Sequence, residues 1–231
     1  MWDSTTQMSK LILVLGATGA QGRHVINSLL ASSEDGTPSP YAIRALTRDP
    51  QSEYALALRE RGVEVVKGRS FMPASEAKCG TMMVRGLLTG DTNDLASVAA
   101  ALDGAYGAWV NIDGFTVGEQ REIYAGMRIF ELAKQTKSLR HYVWSSLSYC
   151  LKVRVNVLFI TSDHSAYMVQ MGGYNQKYRC EHFDAKGRVA GWLEQQASVV
   201  SDTELSWSVV TSGPYMDMLQ IVGECQVYYR S

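Results

Sequence analysis

The chain has little net charge, few cysteines and no long apolar run. Its 22 Lys and Arg nearly balance 23 Asp and Glu over 231 residues, for a formal charge of −1. That leaves no electrostatic case for nucleic acid or an anionic membrane as a partner. The four cysteines, Cys79, Cys150, Cys180 and Cys225, show neither paired metal spacing nor the density of a disulfide framework. They read as reduced thiols of a cytoplasmic protein. No apolar stretch approaches the ~20 residues of a membrane span. The opening MWDSTTQMSK lacks the cationic-then-apolar order of a secretion signal. The histidines His24, His141, His164 and His182 form no ligand cluster, so no metal is expected. There is no internal repeat, and no basic patch lies beside Trp109, Trp144 or Trp192, which fit core positions.

What is present is one glycine-rich stretch around which the chain is organised. Leu11 to Leu15 run apolar without a break into a turn carrying Gly16, Gly19 and Gly22. A short continuous apolar run ended by glycine suits a strand buried on both faces. Val25, Ile26, Leu29 and Leu30 then recur at helical spacing. Strand, glycine turn and helix together seat a dinucleotide pyrophosphate on a helix N-terminus. Gly16 permits the sharp turn, Gly19 close backbone approach to phosphate, and Gly22 close helix–sheet packing. A glycine turn without a ligand is the plainer alternative.

The elements that follow alternate. Tyr41–Thr47 reads as a strand, Ser52–Arg61 as a helix and Val63–Lys67 as a strand. This β-α-β-α-β order is half of a doubly wound sheet. Arg48 stands at the end of the second strand, where an arginine accommodates the 2′-phosphate of NADP and an acidic residue the 2′-hydroxyl of NAD. NADP is therefore favoured over NAD, although Asp49 follows directly. Residues 69–90 show no period of either kind. Asp91–Leu102 then resumes as a helix with Asp94 at its N-cap. A strand at Ala105–Ile112, a long helix at Val117–Thr136 and a strand at Arg140–Ser145 come next. Residues 153–171 open strand-like and end polar. A helix at Tyr178–Gln195 and a strand at Leu205–Val210 complete the pattern.

Several segments in this order resemble the NmrA-like family, atypical members of the short-chain dehydrogenase/reductase superfamily. They are Gly16–Gly22 (GATGAQG), Leu46–Pro50 (LTRDP), Val63–Gly68 (VEVVKG), Asp91–Asp94 (DTND), Val110–Phe115, Tyr142–Leu147 (YVWSSL), Glu181–Gly187 (EHFDAKG) and Gly213–Leu219 (GPYMDML). The resemblance implies an α/β fold, a doubly wound parallel-sheet Rossmann-like domain over residues 10–219. Insertions 69–90 and 153–171 interrupt it, and a truncated C-terminal substrate lobe and an atypical tail 220–231 end it. Deleting both insertions restores the family spacing, which fits either untranslated sequence retained in a message or a surface insertion. By motif match, Gly16, Ala17, Thr18, Gly19, Ala20, Gln21 and Gly22 would line the pyrophosphate, and Arg48 would take the 2′-phosphate. Asp91 and Thr92 would flank the adenine, and Asn111 would lie along the nicotinamide. Lys186 would hold the nicotinamide ribose, and Pro214, Tyr215 and Met216 would close over the nicotinamide.

Typical members of the superfamily place a Tyr four residues before a Lys, on one helical face, so that the Lys lowers the Tyr pKa for proton transfer. None of the twelve tyrosines has Lys at that offset. His182 stands there before Lys186, and Ser145 ends the fifth strand where the superfamily places its serine; these are the candidate catalytic groups. A structural histidine and a strand-end serine are the plainer alternatives. Two functions follow. One is an NADP-dependent oxidoreductase acting on a small organic substrate. The other is a non-catalytic NADP-binding redox sensor acting through a protein partner.

Overall fold

Lys10–Leu15 forms the first strand, β1, and Leu13, Val14 and Leu15 are buried whichever way their side chains point. A strand can be apolar on both faces only where both faces are covered. The elements that cover it follow in chain order: α1 (Ala20–Leu30), β2 (Tyr41–Thr47), α2 (Glu53–Glu60), β3 (Glu64–Lys67), α3 (Thr92–Leu102), β4 (Gly107–Val110), α4 (Gly114–Val117), α5 (Glu119–Gln135), β5 (His141–Ser146), β6 (Val155–Ile160), β7 (Ala166–Met171), α6 (Glu181–Leu193) and β8 (Ser206–Thr211). The structure, a computed structural model, describes residues 9–68, 92–152, 155–160, 166–171 and 173–212. The insertion read at 69–90 and the tail at 220–231 lie outside these residues.

Six strands pair in parallel in the order β3-β2-β1-β4-β5-β8. This is the doubly wound order, with the direction of winding reversing between β1 and β4. Helices α3, α5 and α6 cover one face, where Leu13, Leu15, Phe130, Tyr142, Trp144 and Val189 form the larger core. Helices α1 and α2 cover the other, where Val14, Ile26, Ile43, Ala45, Leu58 and Val63 form the smaller one. Burying each of these large side chains contributes about 1.5–3 kcal/mol.

Four expectations need correction. Helix α3 begins at Thr92, so Asp94 lies inside its first turn rather than at its cap. The long helix expected over 117–136 is broken at Gly118, whose φ of +82° ends α4 and starts α5; only glycine adopts that value without strain. The helix expected from Tyr178 starts at Glu181, because Gln176–Tyr178 forms a separate 3₁₀ turn. Trp144 is fully buried, whereas Trp109 lines a cavity and Trp192 packs at the core's rim.

The second interruption contains a hairpin. Strands β6 and β7 pair antiparallel with each other and with no other strand of the described residues. Tyr174 N donates to Leu151 O at 2.7 Å, so the excursion leaves and rejoins the domain at one place.

Candidate functional site

Strand register builds the site. Leu15 lies level with Val110, and Val110 with Trp144. The next row, just past β1 and β4 and within the last residues of β5, is therefore Gly16, Asn111 and Ser145. It sits at the switch in strand order, where open parallel sheets leave a crevice at their carboxyl ends.

The turn after β1 presses the start of α1 against this row. Gly16 has φ +74°, and its carbonyl accepts from Gly19 N at 3.0 Å. A Cβ on Gly16 would stand 2.8 Å from Asn111 O, and one on Gly22 only 2.2 Å from Gly16 O. Gly19 caps α1 without a side-chain hydrogen bond, and no acidic residue occupies the first turn. The first N–H groups and the positive end of the helix dipole are thus left for an anion. Ala17 is buried beneath the turn, while Thr18 O accepts from Arg23 Nε at 3.1 Å. Gln21 crosses the crevice: Ser145 Oγ donates to its Oε1 at 2.5 Å, and its Nε2 donates to Ser212 Oγ at 3.4 Å.

Lys186 enters the same place from α6. Its Nζ donates to Asn111 Oδ1 and Ile112 O, both at 2.9 Å, and more distantly to Ser145 O at 3.4 Å. Trp144 Nε1 and Ser146 Oγ donate to the Lys186 carbonyl at 3.2 and 3.3 Å, which fixes that turn of α6. Glu122, wholly buried in the first turn of α5, lies 2.9 Å from Nζ through Oε1. The contact is an ion pair more than a directed hydrogen bond, since neither Glu122 oxygen receives a well-angled donor. The carboxylate rests against Gly114, where a Cβ would lie 2.0 Å from Oε2.

Burial raises the Glu122 pKa above 4.5, and the charge of Lys186 opposes the shift without cancelling it. A carboxyl with a raised folded-state pKa stabilises the fold below its unfolded value, and that contribution is lost as pH rises through the folded value. Thermal melts of Glu122→Gln against wild type should therefore diverge with pH. The variant's relative stability should be higher near neutrality than in mild acid, and a difference independent of pH would show that Glu122 is not perturbed.

The other expected site residues are distributed as follows. Arg48 is exposed one residue past β2. Asp49 next to it is engaged in its own turn, with Oδ1 accepting from Gln51 N at 2.9 Å. Ala20 opens α1 and Thr92 opens α3. Asp91, Pro214, Tyr215 and Met216 lie outside the described residues. His182 sits four residues before Lys186, yet its ring faces Phe115, with centroids 4.3 Å apart, and Cys180 Sγ, 3.7 Å from Nδ1. Burial holds its pKa below the usual histidine value. The structure thus brings together the glycine turn, Gln21, Asn111, Ser145 and Lys186, and sets His182 against an aromatic ring.

Glu122 is not among the site residues that the sequence singles out. The signal was present: Glu122, Ala125, Gly126, Ile129 and Ala133 follow one helical face, and all are buried. A cavity of about 600 Å³ lies between α1 and the faces of β4 and β5, lined by Gln21, Val25, Leu29, Trp109, His141 and Val143. Among the described residues no three His, Cys, Asp or Glu side chains gather to hold a metal, and no helix is long and apolar enough to cross a membrane.

Comparison with known proteins adds the lineage. A sequence model of the NmrA-like family matches residues 8–159. The NmrA-like family domain-containing oxidoreductase ptmS of Penicillium ochrochloron is 34% identical over 139 residues, 59% of this chain and 40% of that protein. The similarly described lnaB of Aspergillus flavus is 27% identical over 194 residues, 80% of this chain and 47% of that one. This chain thus spans less than half the length of the curated relatives it matches. Among solved structures, a double mutant of NmrA aligns with a TM-score of 0.53 at 20% identity, covering 88% of this chain and 45% of that one. NmrA in complex with NAD aligns at 0.50 and 18% identity, covering 88% and 45%. Those two likenesses concern the fold alone. A family match over more than half the chain, together with the six-stranded doubly wound sheet, establishes that this chain belongs to the NmrA-like family.

Proposed function

We propose that the chain binds a nicotinamide dinucleotide, NADP ahead of NAD, as the cofactor domain of an NmrA-type oxidoreductase acting on a small organic molecule. One observation carries this: the start of α1, free of any side-chain cap, is packed by Gly16 and Gly22 against the crevice where the strand order reverses. The site residues fit the cofactor. Gly16 to Gly22 offer backbone donors to the pyrophosphate. Arg48 is exposed for the 2′-phosphate, while Asp49, which would repel it, is held by Gln51 N. Asp91 and Thr92 would border the adenine, Lys186 the nicotinamide ribose, and Asn111 and Pro214 to Met216 the nicotinamide. The bound cofactor supplies or accepts hydride. Glu122 keeps the Lys186 ammonium at the strand ends, and Ser145 holds Gln21 across the crevice. Relatives such as ptmS, described as oxidoreductases, support the same reading.

Calorimetric titration with NADPH, NADP and NAD tests it, followed by a search for NADPH oxidation with carbonyl and quinone substrates. Arg48→Glu should lower the NADP-to-NAD affinity ratio by about tenfold or more, through like-charge repulsion with the 2′-phosphate. An unchanged ratio would show that Arg48 does not read that phosphate.

A second reading, a redox sensor that binds NADP and reports to a protein partner, is favoured by the position of His182. The place of the missing tyrosine is taken by a ring packed on Phe115. Tight NADP binding without turnover on any carbonyl or quinone would select the sensor.

A further inference from the structure

Outside the crevice, one cluster of reactive side chains has no part in cofactor binding. Cys150 follows the end of β5, and Cys180 caps α6 without a side-chain hydrogen bond. Both are free thiols and both are half-buried. Asp184, fully buried, ties their backbones together: its Oδ1 accepts from Leu151 N and its Oδ2 from Cys180 N, each at 2.9 Å. A single carboxylate therefore grips the amide of Cys180 and the amide that follows Cys150. Tyr174 N, bonded to Leu151 O, closes the same place from the returning chain.

We propose that Cys150 and Cys180 form an oxidation site that hydrogen peroxide closes into a disulfide, stapling the base of the β6–β7 excursion to the start of α6. The chemistry is divided between the two thiols. Cys180 Sγ lies 3.7 Å from His182 Nδ1. Nε2 of the same ring is 3.9 Å from the sulfur, and this imidazole is the base that takes the thiol proton. The Cys180 thiolate attacks one peroxide oxygen, the O–O bond breaks, and the leaving hydroxide takes back the proton from the imidazolium and departs as water, giving the sulfenic acid. Cys150 sulfur then attacks the Cys180 sulfur, the S–O bond breaks, and the second water leaves as the S–S bond forms. Two thiols lose two hydrogens and two electrons, and one peroxide becomes two waters. Burial, then the neighbouring Cys180 and Asp184, push the Cys150 thiol up, which makes it the less reactive of the two toward peroxide and leaves the first step to Cys180. Both Asp184 oxygens already accept backbone amides, and no three ligating side chains converge among the described residues, so thiol chemistry fits the cluster better than metal binding.

The test treats the native chain, and a Cys79→Ser/Cys225→Ser variant, with hydrogen peroxide, then unfolds and alkylates each with N-ethylmaleimide. In the variant the alkylatable thiols should fall from two to none, with a mass loss of two hydrogens. Peptide mapping of both proteins should find Cys150 joined to Cys180, and dithiothreitol should reverse the change. Cys150→Ser should instead leave a Cys180 sulfenic acid that dimedone traps. Full alkylation after peroxide, over-oxidation without a cross-link, or cross-links made only through Cys79 or Cys225 in the native chain would each overturn the proposal. Because peptide mapping of the native chain reads the bond directly, the test does not depend on how well the variants fold.

Discussion

Gly22→Ala should lower the melting temperature and remove dinucleotide binding together. The new methyl would stand 2.2 Å from Gly16 O, 2.8 Å from Ala17 Cα and 2.9 Å from Gly16 C. All three are backbone atoms of the turn itself, so relief requires α1 to move away from the end of β1. Overpacking of this kind costs about 1–3 kcal/mol or more. At this chain length that is roughly 2–12 °C in Tm. The same displacement separates the α1 N–H donors from the crevice, and NADPH affinity should fall about tenfold or more. Gly191→Ala is the matching control. Gly191 lies within α6 with nothing inside 4 Å of the added methyl. It should gain about 0.5–1 kcal/mol from the better helix former and leave binding unchanged. Equal melting and binding of Gly22→Ala and wild type, by differential scanning and titration calorimetry, would end the close-packing account of the turn.

The second large effect is expected at Lys186. Lys186→Met keeps most of the buried stem and deletes the ammonium. Glu122 is then left buried with no cation, Asn111 Oδ1 loses the Lys186 donor, and Ile112 O keeps only Gly114 N. Breaking a buried pair from one side costs about 3–5 kcal/mol. In a chain of this size the Tm should drop by roughly 6–20 °C. The loss should be greatest near neutral pH and shrink toward the ordinary carboxylate range, because a protonated Glu122 no longer needs a partner. Adding Glu122→Gln to Lys186→Met should recover part of the loss, since the two sites are in direct contact and do not add. A double mutant no more stable than Lys186→Met would show that the charge left behind is not the source. Buried ion pairs are weak devices for stability as such. Here the pair fixes where the ammonium sits, against Asn111 Oδ1 and Ile112 O at the end of β4.

The fold was legible because its signals are local. The apolar run at Leu11–Leu15, the three glycines and the apolar spacing of α1 each specify an element within a few residues. Tyr41–Thr47 emerges with the same bounds from sequence and from structure. At Gly16 the residue type itself implies the turn, whereas Asn111 and Lys186 were named only by the family resemblance, and the structure places them 2.9 Å apart. Other features were hidden because they depend on what lies across the fold. Ile123 and Met127 look like the buried side of the long helix, yet each is only half-buried, and the face that packs runs through Glu122, Ala125, Gly126 and Ile129. A carboxylate does not register as a core position until its cation arrives from a distant helix. His182 likewise has the sequence offset of a catalytic acid, but Phe115, from a separate turn, decides where its ring rests.

The sequence by itself determined the alternating strand and helix order and the glycine turn, because periodicity and backbone freedom act between near neighbours. Only the tertiary structure decided that Glu122 meets Lys186, that Ser145 holds Gln21, and that one aspartate gathers the chain beside two cysteines. Apart from the local bond between Cys180 N and Asp184, those contacts join residues 33 to 124 positions apart. Side chains so distant in sequence are brought together by packing helices against a common sheet, and no local propensity encodes that meeting.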